Sequence, residues 1–251
     1  METNNSRQAA WVAMGSLFSF GFSIVSSMIL SRYFDKADYG TYKQVMYVYN
    51  TLLTVFTLGL PKAYSYFLPR VNPQEAKDLI NKITRLFFLL GGVFSILLFL
   101  GASLIAQFLK NPDLEIALRY FSLVPFLMLP TMGLEGILST YKKTKFLAGY
   151  TITTRLFMLC CVALPVMIFN LDYIGAIIGF VIASIFSAFL ALYLKVYPVR
   201  NNIKNRTQTS YKEIFQFSLP LMYASLWGVL MSSADQFFIS RFFGLEVFAD
   251  F

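Results

Sequence analysis

Seven long, charge-poor apolar stretches follow one another along the chain, and they constrain its fold more than any other feature. They cover residues 8–31, 44–61, 86–109, 120–141, 146–171, 173–194 and 214–234, with Glu135 interrupting the fourth and Arg155 the fifth. A helix needs about 20 mostly apolar residues to cross the hydrocarbon core of a bilayer. Spanning β-strands would instead alternate polar and apolar residues. The pattern therefore predicts an all-α integral membrane protein with about seven transmembrane helices.

Composition agrees with a membrane protein and disfavours an enzyme. Charged residues make up 14% of the chain, against about 25% in ordinary soluble domains. Histidine is absent, which removes the commonest general base and metal ligand. Two cysteines, Cys160 and Cys161, are adjacent in an apolar run, a spacing that builds neither a disulfide framework nor a zinc site. We expect no cofactor, no metal and no catalytic residues.

The basic residues predict the orientation. With seven spans the loops alternate sides, and one side receives Arg7, the lysines and arginines from 62 to 85, those from 142 to 145, and those from 195 to 212. Fewer lie on the other side: Arg32, Lys36, Lys43, Lys110, Arg119 and Arg241. The positive-inside rule then places the N-terminus in the cytoplasm. The net charge of +8 is explained by loop topology and attraction to anionic lipid, so no nucleic-acid partner is expected.

A repeat connects the first and seventh stretches. The first ends in Ser31-Arg32-Tyr33-Phe34 and the seventh in Ser240-Arg241-Phe242-Phe243, an offset of 209 residues. An even number of helices between equivalent points gives two copies of the same orientation, as in parallel-repeat transporters. We predict a six-helix lobe over residues 1–195, a basic cytoplasmic loop over 196–212, and the first helix of a second, truncated lobe over 213–251.

Several stretches together resemble the polysaccharide-export flippases, the Wzx-type branch of the MATE-like (MOP) superfamily. They are the span ending in SRYFDKADYGTY, the segment LGLPKAYSYFLPR at 58–70, and FSLPLMYASLWGVLMSSADQFFISRFFG at 217–244. The resemblance covers the whole chain and implies two lobes facing a central cavity. It also implies alternating access, in which an undecaprenyl-pyrophosphate-linked oligosaccharide moves to the outer leaflet of the cytoplasmic (inner) membrane. Its implied partners are membrane lipid, this saccharide carrier and other polysaccharide-assembly proteins.

Ionisable residues within a span are costly and indicate either a functional site or a buried pair. Arg155 lies about ten residues into the fifth stretch, roughly 15 Å from its cytoplasmic end at helical rise, where its guanidinium can hold a pyrophosphate bidentately. Glu135 lies at a similar depth in the neighbouring helix, as an ion-pair partner of Arg155 or as a proton- or cation-coupling site. Asp235 either faces the cavity or lies near the outer interface.

Three further cations are candidates for substrate binding. Arg32 and Arg241, related by the repeat, either snorkel to the outer headgroups or flank the external mouth of the cavity. Lys62, at the inner end of the second stretch, either meets the carrier headgroup or only sets topology. The predicted substrate-binding residues are thus Arg155, Arg32, Arg241 and Lys62, and the predicted coupling or ion-pair residues are Glu135 and Asp235.

Three alternatives to a flippase remain open at this point. A cation-coupled drug exporter of the same superfamily would need acidic residues in the cavity, and this stretch offers only Glu135 and Asp235. A membrane-embedded transferase would need a clustered base or metal site, which a chain without histidine and with scattered acidic loop residues does not suggest. The truncated second lobe also allows an inactive fragment of a flippase.

Overall fold

The structure is a computed structural model that describes residues 2–202, 205–243 and 245–250. Regular secondary structure within these ranges is helical throughout, which confirms the all-α prediction. The helices are α1 (Glu2–Tyr33), α2 (Lys36–Phe56), α3 (Pro61–Phe67), α4 (Ala76–Phe108), α5 (Asp113–Phe121), α6 (Leu123–Met128), α7 (Leu134–Thr140), α8 (Thr144–Phe169), α9 (Tyr173–Val196), α10 (Tyr211–Phe242) and α11 (Leu245–Asp250). Short 3-10 turns cover Leu129–Thr131 and Tyr197–Val199.

Six helical segments of the described residues are long and apolar enough to cross a membrane. They are α1, α4, the segment Asp113–Thr140, α8, α9 and α10. Their outward faces carry large apolar side chains that water would disfavour, such as Leu104 at 71% exposure and Phe189 at 73%. Such a surface is suited to lipid, and the chain is a multi-pass membrane protein.

The second predicted span differs from the prediction. It was expected over residues 44–61, but the helix there, α2, begins at Lys36 and ends at Phe56. After Leu58 and Gly59, which have positive φ angles of 47° and 68°, a separate helix begins at Pro61. Polar residues along α2 make it too polar to count among the six apolar segments, and its buried residues include Thr41 and Gln44. Lys43, assigned to an outer loop by the sequence, lies inside this helix.

The fourth span is broken. α5, α6 and α7 follow one another over the predicted stretch, and a 3-10 turn containing Pro130 separates the last two. Proline supplies no backbone N–H for a helix, and Gly133 adopts a left-handed conformation with φ of 78°. A side chain at Gly133 would meet the ring of Tyr64 on α3. The break therefore lies where α3 packs against the fourth span.

Small residues bring the helices together. Between α8 and α9, a Cβ added at Gly179 would lie 2.0 Å from the carbonyl oxygen of Cys161. Between α1 and α8, one added at Gly15 would lie 3.1 Å from the Cα of Ala148. Lipid is as apolar as the helix surfaces, so close backbone approach and van der Waals packing supply the association energy.

Helix boundaries preserve the 209-residue offset of the repeat. α1 ends at Tyr33 and α10 at Phe242, while α2 begins at Lys36 and α11 at Leu245. The paired helices also meet reciprocally: Lys36, the first residue of α2, bonds to Asp250 in α11, and Gly40 in α2 packs against Leu245, the first residue of α11. Reciprocal contacts of this kind characterise two-fold interfaces. They favour a pseudo-two-fold axis between α2 and α11.

The segment between α9 and α10 is fastened to the beginning of α4. Lys82 Nζ donates to the carbonyl of Thr209 at 2.6 Å, and the backbone N–H of Thr207 donates to Asp78 Oδ2 at 3.1 Å. α10 then begins with a capping box formed by Ser210 and Glu213, a motif that satisfies free backbone donors at a helix start. These bonds hold the residues just before α10 against the beginning of α4.

We predict that Gly179→Ala lowers the stability of the α8–α9 packing. Its new methyl group has no space against the Cys161 carbonyl, and overpacking of this kind costs about 1–3 kcal/mol. The matched control is Gly149→Ala in α8, where an added Cβ meets nothing within 4 Å. The midpoint of thermal unfolding in detergent should fall for Gly179→Ala only; equal midpoints for the two variants would contradict the prediction.

Candidate functional site

A cavity of about 570 Å³ lies among α1, α2, the broken fourth span, α8 and α9. Its polar lining consists of hydroxyl and amide groups, three tyrosines and one arginine: Ser23, Ser26, Ser27, Asn50, Thr151, Thr154, Ser187, Tyr42, Tyr49, Tyr150 and Arg155. Met46, Met128, Met132 and Met158 add flexible apolar surface, which adapts to irregular shapes. This combination suits a ligand that is mostly uncharged and polar and has apolar faces.

Arg155 alone is charged among the residues that line this cavity, all of which lie in the described ranges. It lies in the middle of α8, and its side chain is exposed. In the preceding residue, Thr154, the Oγ1 hydroxyl donates to the backbone carbonyl of Tyr150 at 2.8 Å, so this hydroxyl is turned toward its own helix. The guanidinium remains available to an anionic group that enters the cavity.

The structure does not form the predicted pair between Arg155 and Glu135. Glu135 is exposed on α7 and is absent from the lining of this cavity. The ion pairs found within the described residues are Lys36–Asp250 at 2.8 Å and Arg119–Glu115 at 2.6 Å. Arg155 and Glu135 lie at similar depths on adjacent helices, but their side chains do not meet. Depth does not specify which face of a helix a side chain occupies.

A second cavity of about 500 Å³ lies on the other side of α2, against α10 and α11. It is lined by Lys43, Met46, Tyr47, Asn50, Thr51, Ser233, Gln236 and Phe248. Met46 and Asn50 line both cavities. α2 is therefore the wall between a space bordered by α1, α8 and α9 and a space bordered by α10 and α11.

The other predicted residues lie outside the linings of these two cavities. Arg32 is exposed at the end of α1, Lys62 is exposed at the start of α3, and Asp235 is exposed on α10. Asp235 nevertheless lies between Ser233 and Gln236, which line the second cavity, and its repeat-related position, Ser26, lines the first.

Arg241 is in a different environment from its repeat partner Arg32. Its guanidinium lies over the rings of Phe108, 5.6 Å from the ring centroid, and Phe242, at 5.7 Å. Its Nη1 atom is buried without a hydrogen-bond partner. An arginine held by cation–π contacts with a free donor is suited to a further acceptor. The equivalence of Arg32 and Arg241 in sequence thus does not extend to their surroundings.

Lys195 is a buried cation that the sequence did not reveal. The sequence groups it with the basic residues of the cytoplasmic loop, but it lies in the last turn of α9 at 1% exposure. Its Nζ donates to the Met132 carbonyl at 2.6 Å and to the Tyr64 hydroxyl at 3.1 Å. The ammonium therefore ties α9 to α3 and to the break in the fourth span. A lysine at the end of an apolar helix normally snorkels to water, so its sequence position gave no signal of burial.

α2 holds the other polar residues that sequence reasoning missed. Gln44 is fully buried, and Asn50 is shared by the two cavities. Lys43 donates to the carbonyl of Ala249 at 3.0 Å and lies 5.0 Å from the ring centroid of Tyr39. The available signal was the interruption of the second apolar stretch by amide side chains, which are expensive inside a membrane unless they are bonded.

Comparison with known proteins agrees with this architecture. Residues 6–251 match the family described as polysaccharide biosynthesis protein. Among solved structures, the fold is similar to that of a MOP superfamily transporter from Pyrococcus furiosus, with a TM-score of 0.73 and 16% sequence identity. That transporter is described as having a binding pocket whose reverse polarity suggests a different function. Among curated proteins, none matches the sequence.

The structural match covers 94% of this chain and 54% of the transporter. The chain thus spans about half the length of the solved transporter that it matches. At 16% identity, the likeness concerns the arrangement of the helices.

We predict that Lys195→Met destabilises the protein, because the Met132 carbonyl loses its donor at the helix break. A buried acceptor left without a partner costs about 1–3 kcal/mol. Lys62→Met, which changes an exposed lysine at the neighbouring start of α3, is the matched control and should have little effect. Thermal unfolding in detergent measures both. A rise in stability for Lys195→Met would mean that desolvation of the ammonium outweighs its two hydrogen bonds.

Proposed function

The chain belongs to the polysaccharide biosynthesis protein family, and from this premise we propose that it translocates a lipid-linked oligosaccharide or polysaccharide repeat unit across the cytoplasmic membrane. The observation that carries the proposal is the cavity in which Arg155 is the one charged residue among hydroxyls, an amide and tyrosines. In this proposal the polypeptide moves its substrate without changing it chemically.

Each part of such a substrate has a counterpart in the lining. Serine and threonine hydroxyls and the Asn50 amide provide donors and acceptors for sugar hydroxyls. The rings of Tyr42, Tyr49 and Tyr150 provide flat apolar surface for sugar faces. The guanidinium of Arg155 provides a bidentate partner for a pyrophosphate, and a low-dielectric surrounding strengthens that contact.

The lipid part of the substrate would remain in the bilayer. α1 borders the cavity through Phe22, Ser23 and Ser26, and its other face carries exposed apolar side chains such as Leu17 and Phe20. A chain extending from the cavity past α1 would therefore meet an apolar surface. We propose undecaprenyl pyrophosphate as the carrier, with the N-terminus of the protein in the cytoplasm.

Translocation by alternating access requires two units that move relative to each other. We propose residues 1–195 as the first unit and α10 with α11 as the beginning of the second, connected by residues 196–212. Because that connection is bonded to the start of α4, the flexing point would lie at the start of α10. Arg241 and Arg32 would act at the outer end, Lys62 at the inner end, and Glu135 or Asp235 in coupling.

A cation-coupled drug exporter is the less favoured function. Cationic substrates need carboxylates in the binding space, and neither Glu135 nor Asp235 is among the residues that line the two cavities. The charges that do line them, Arg155 and Lys43, are positive. This polarity favours an anionic substrate.

We predict that Arg155→Ala abolishes export of the lipid-linked saccharide while leaving expression and membrane insertion intact. Loss of the two charge-assisted hydrogen bonds of a bidentate contact costs about 3–6 kcal/mol, which corresponds to roughly a hundred- to ten-thousandfold loss of affinity. Surface polysaccharide and the accumulated carrier-linked intermediate measure the effect in cells that produce the natural protein.

Two controls distinguish substrate binding from folding. Arg155→Lys keeps the charge but loses the bidentate geometry, so export should be intermediate. Arg119→Ala removes an arginine paired with Glu115 outside both cavities, so export should match the unmodified protein. Full export by Arg155→Ala would remove this residue from the site.

We predict that a cysteine at Lys142, introduced after replacement of Cys160 and Cys161, reacts with an impermeant maleimide only when cells are permeabilised. The positive-inside rule assigns this basic turn to the cytoplasm, and the side chain is exposed. A cysteine at the exposed Lys110, assigned to the other side, should react in intact cells. The reverse pattern would overturn the orientation.

A further inference from the structure

We propose that Thr41, Gln44, Asn111 and Ser240 form an outer latch that holds the second unit against the first and must open during transport. The outer end is the end where α1 finishes and α2 begins, on the side predicted to face away from the cytoplasm. The proposal deepens the transport function above and rests on it.

The four latch side chains form one hydrogen-bonded cluster inside the protein. Asn111 Nδ2 donates to Gln44 Oε1 at 2.8 Å and to Thr41 Oγ1 at 3.0 Å. Gln44 Nε2 donates to Ser240 Oγ at 2.9 Å. All four residues are 3% exposed or less. Polar groups at such burial need hydrogen-bond partners within the protein, so the cluster specifies how α10 packs against α2.

The distribution of these bonds suits a contact that opens and closes. Both bonds from Asn111 lie within the first unit, and Asn111 Oδ1 also accepts from the backbone N–H of Asp113 at 3.1 Å. Of the bonds in this cluster, the one from Gln44 to Ser240 crosses to the second unit. When the units part, the cluster in the first unit can persist, and water admitted to the gap can replace the single crossing partner.

Contacts around the latch cross the same boundary. Lys36 Nζ pairs with Asp250 Oδ2 at 2.8 Å, both side chains being exposed, and Lys43 Nζ donates to the Ala249 carbonyl. Tyr47 packs edge-on against Phe248, with ring centroids 6.3 Å apart. All three contacts join α2 to α11. We call this set of contacts between α2 and α10–α11 the seam. The Gln44–Ser240 bond lies at its buried centre, and the Lys36–Asp250 ion pair lies at its exposed edge.

Gly40 allows the seam to close. A methyl group at this position would lie 2.6 Å from the carbonyl oxygen of Leu245, closer than real side chains approach. Gly40→Ala should therefore shift the equilibrium toward a parted seam without touching either cavity. Its matched control is Gly21→Ala in α1, where an added Cβ meets nothing within 4 Å.

The decisive experiment fixes the latch in its closed form. Lys36→Cys and Asp250→Cys are introduced into the natural protein lacking Cys160 and Cys161, and a short bifunctional methanethiosulfonate joins them in reconstituted vesicles. Transfer of a lipid-linked oligosaccharide between leaflets is then measured before and after reduction. We expect the cross-link to stop transfer and reduction to restore it. Transfer at the uncross-linked rate by fully cross-linked protein would overturn the latch and leave the transport function standing.

A second measurement does not depend on transport. A cysteine at Asn50, which lines both cavities, is labelled with an impermeant thiol reagent from the outer side. Gly40→Ala should accelerate labelling about tenfold or more, because the overpacked methyl group disfavours the closed seam, and Gly21→Ala should not. Equal rates would overturn the latch. If the uncross-linked protein transfers no saccharide, the transport function fails and the labelling rates alone decide whether the seam opens.

Discussion

The hydrogen-bonding requirement of polar groups within a membrane protein governs the rest of this structure, and α2 is where it acts most strongly. Bilayer hydrocarbon offers no partner to a buried amide or hydroxyl. Thr41 and Gln44 therefore turn inward, where Asn111 and Ser240 satisfy them. This places α2 at the centre of the described fold, with one cavity on each side and with α10 and α11 packed along it. The six apolar segments each expose apolar side chains on one face, but α2 depends on protein neighbours.

The same requirement explains the break in the fourth span. A turn containing Pro130 and a left-handed Gly133 interrupts the helix, and Lys195 supplies a donor to the carbonyl of Met132 beside the break. Met132 also lines the larger cavity. Lys195 thus holds a cavity-lining residue in place without lining the cavity, whereas the guanidinium of Arg155 borders the cavity itself. These two cations have opposite roles: one is bonded to protein groups, and the other is open to a ligand.

Four residues show which features of the site could be predicted from the sequence and which could not. Arg155 was identified because a charge in a long apolar stretch is conspicuous, and the structure places it in the cavity. Its pairing with Glu135 failed because matching depth leaves the rotation of each helix undetermined. The burial of Lys195 is not visible in the sequence because a lysine at the end of a span usually reaches water, and in the sequence Gln44 marks only the boundary of a stretch. In each case the missing information was which groups of the neighbouring helices the residue's own helix face meets.

The sequence by itself determined the class of fold, the positions of most spans and the repeat that relates the ends of α1 and α10. These properties are local or periodic: span length and hydropathy follow from the thickness of the bilayer, and the repeat is visible as matching residues. Only the tertiary structure decided that α2 separates two cavities, that Lys195 is buried and that Gln44 reaches Ser240. Those outcomes depend on helix rotation and on contacts across nearly two hundred residues, where close packing of small residues such as Gly40 and Gly179 selects which faces meet.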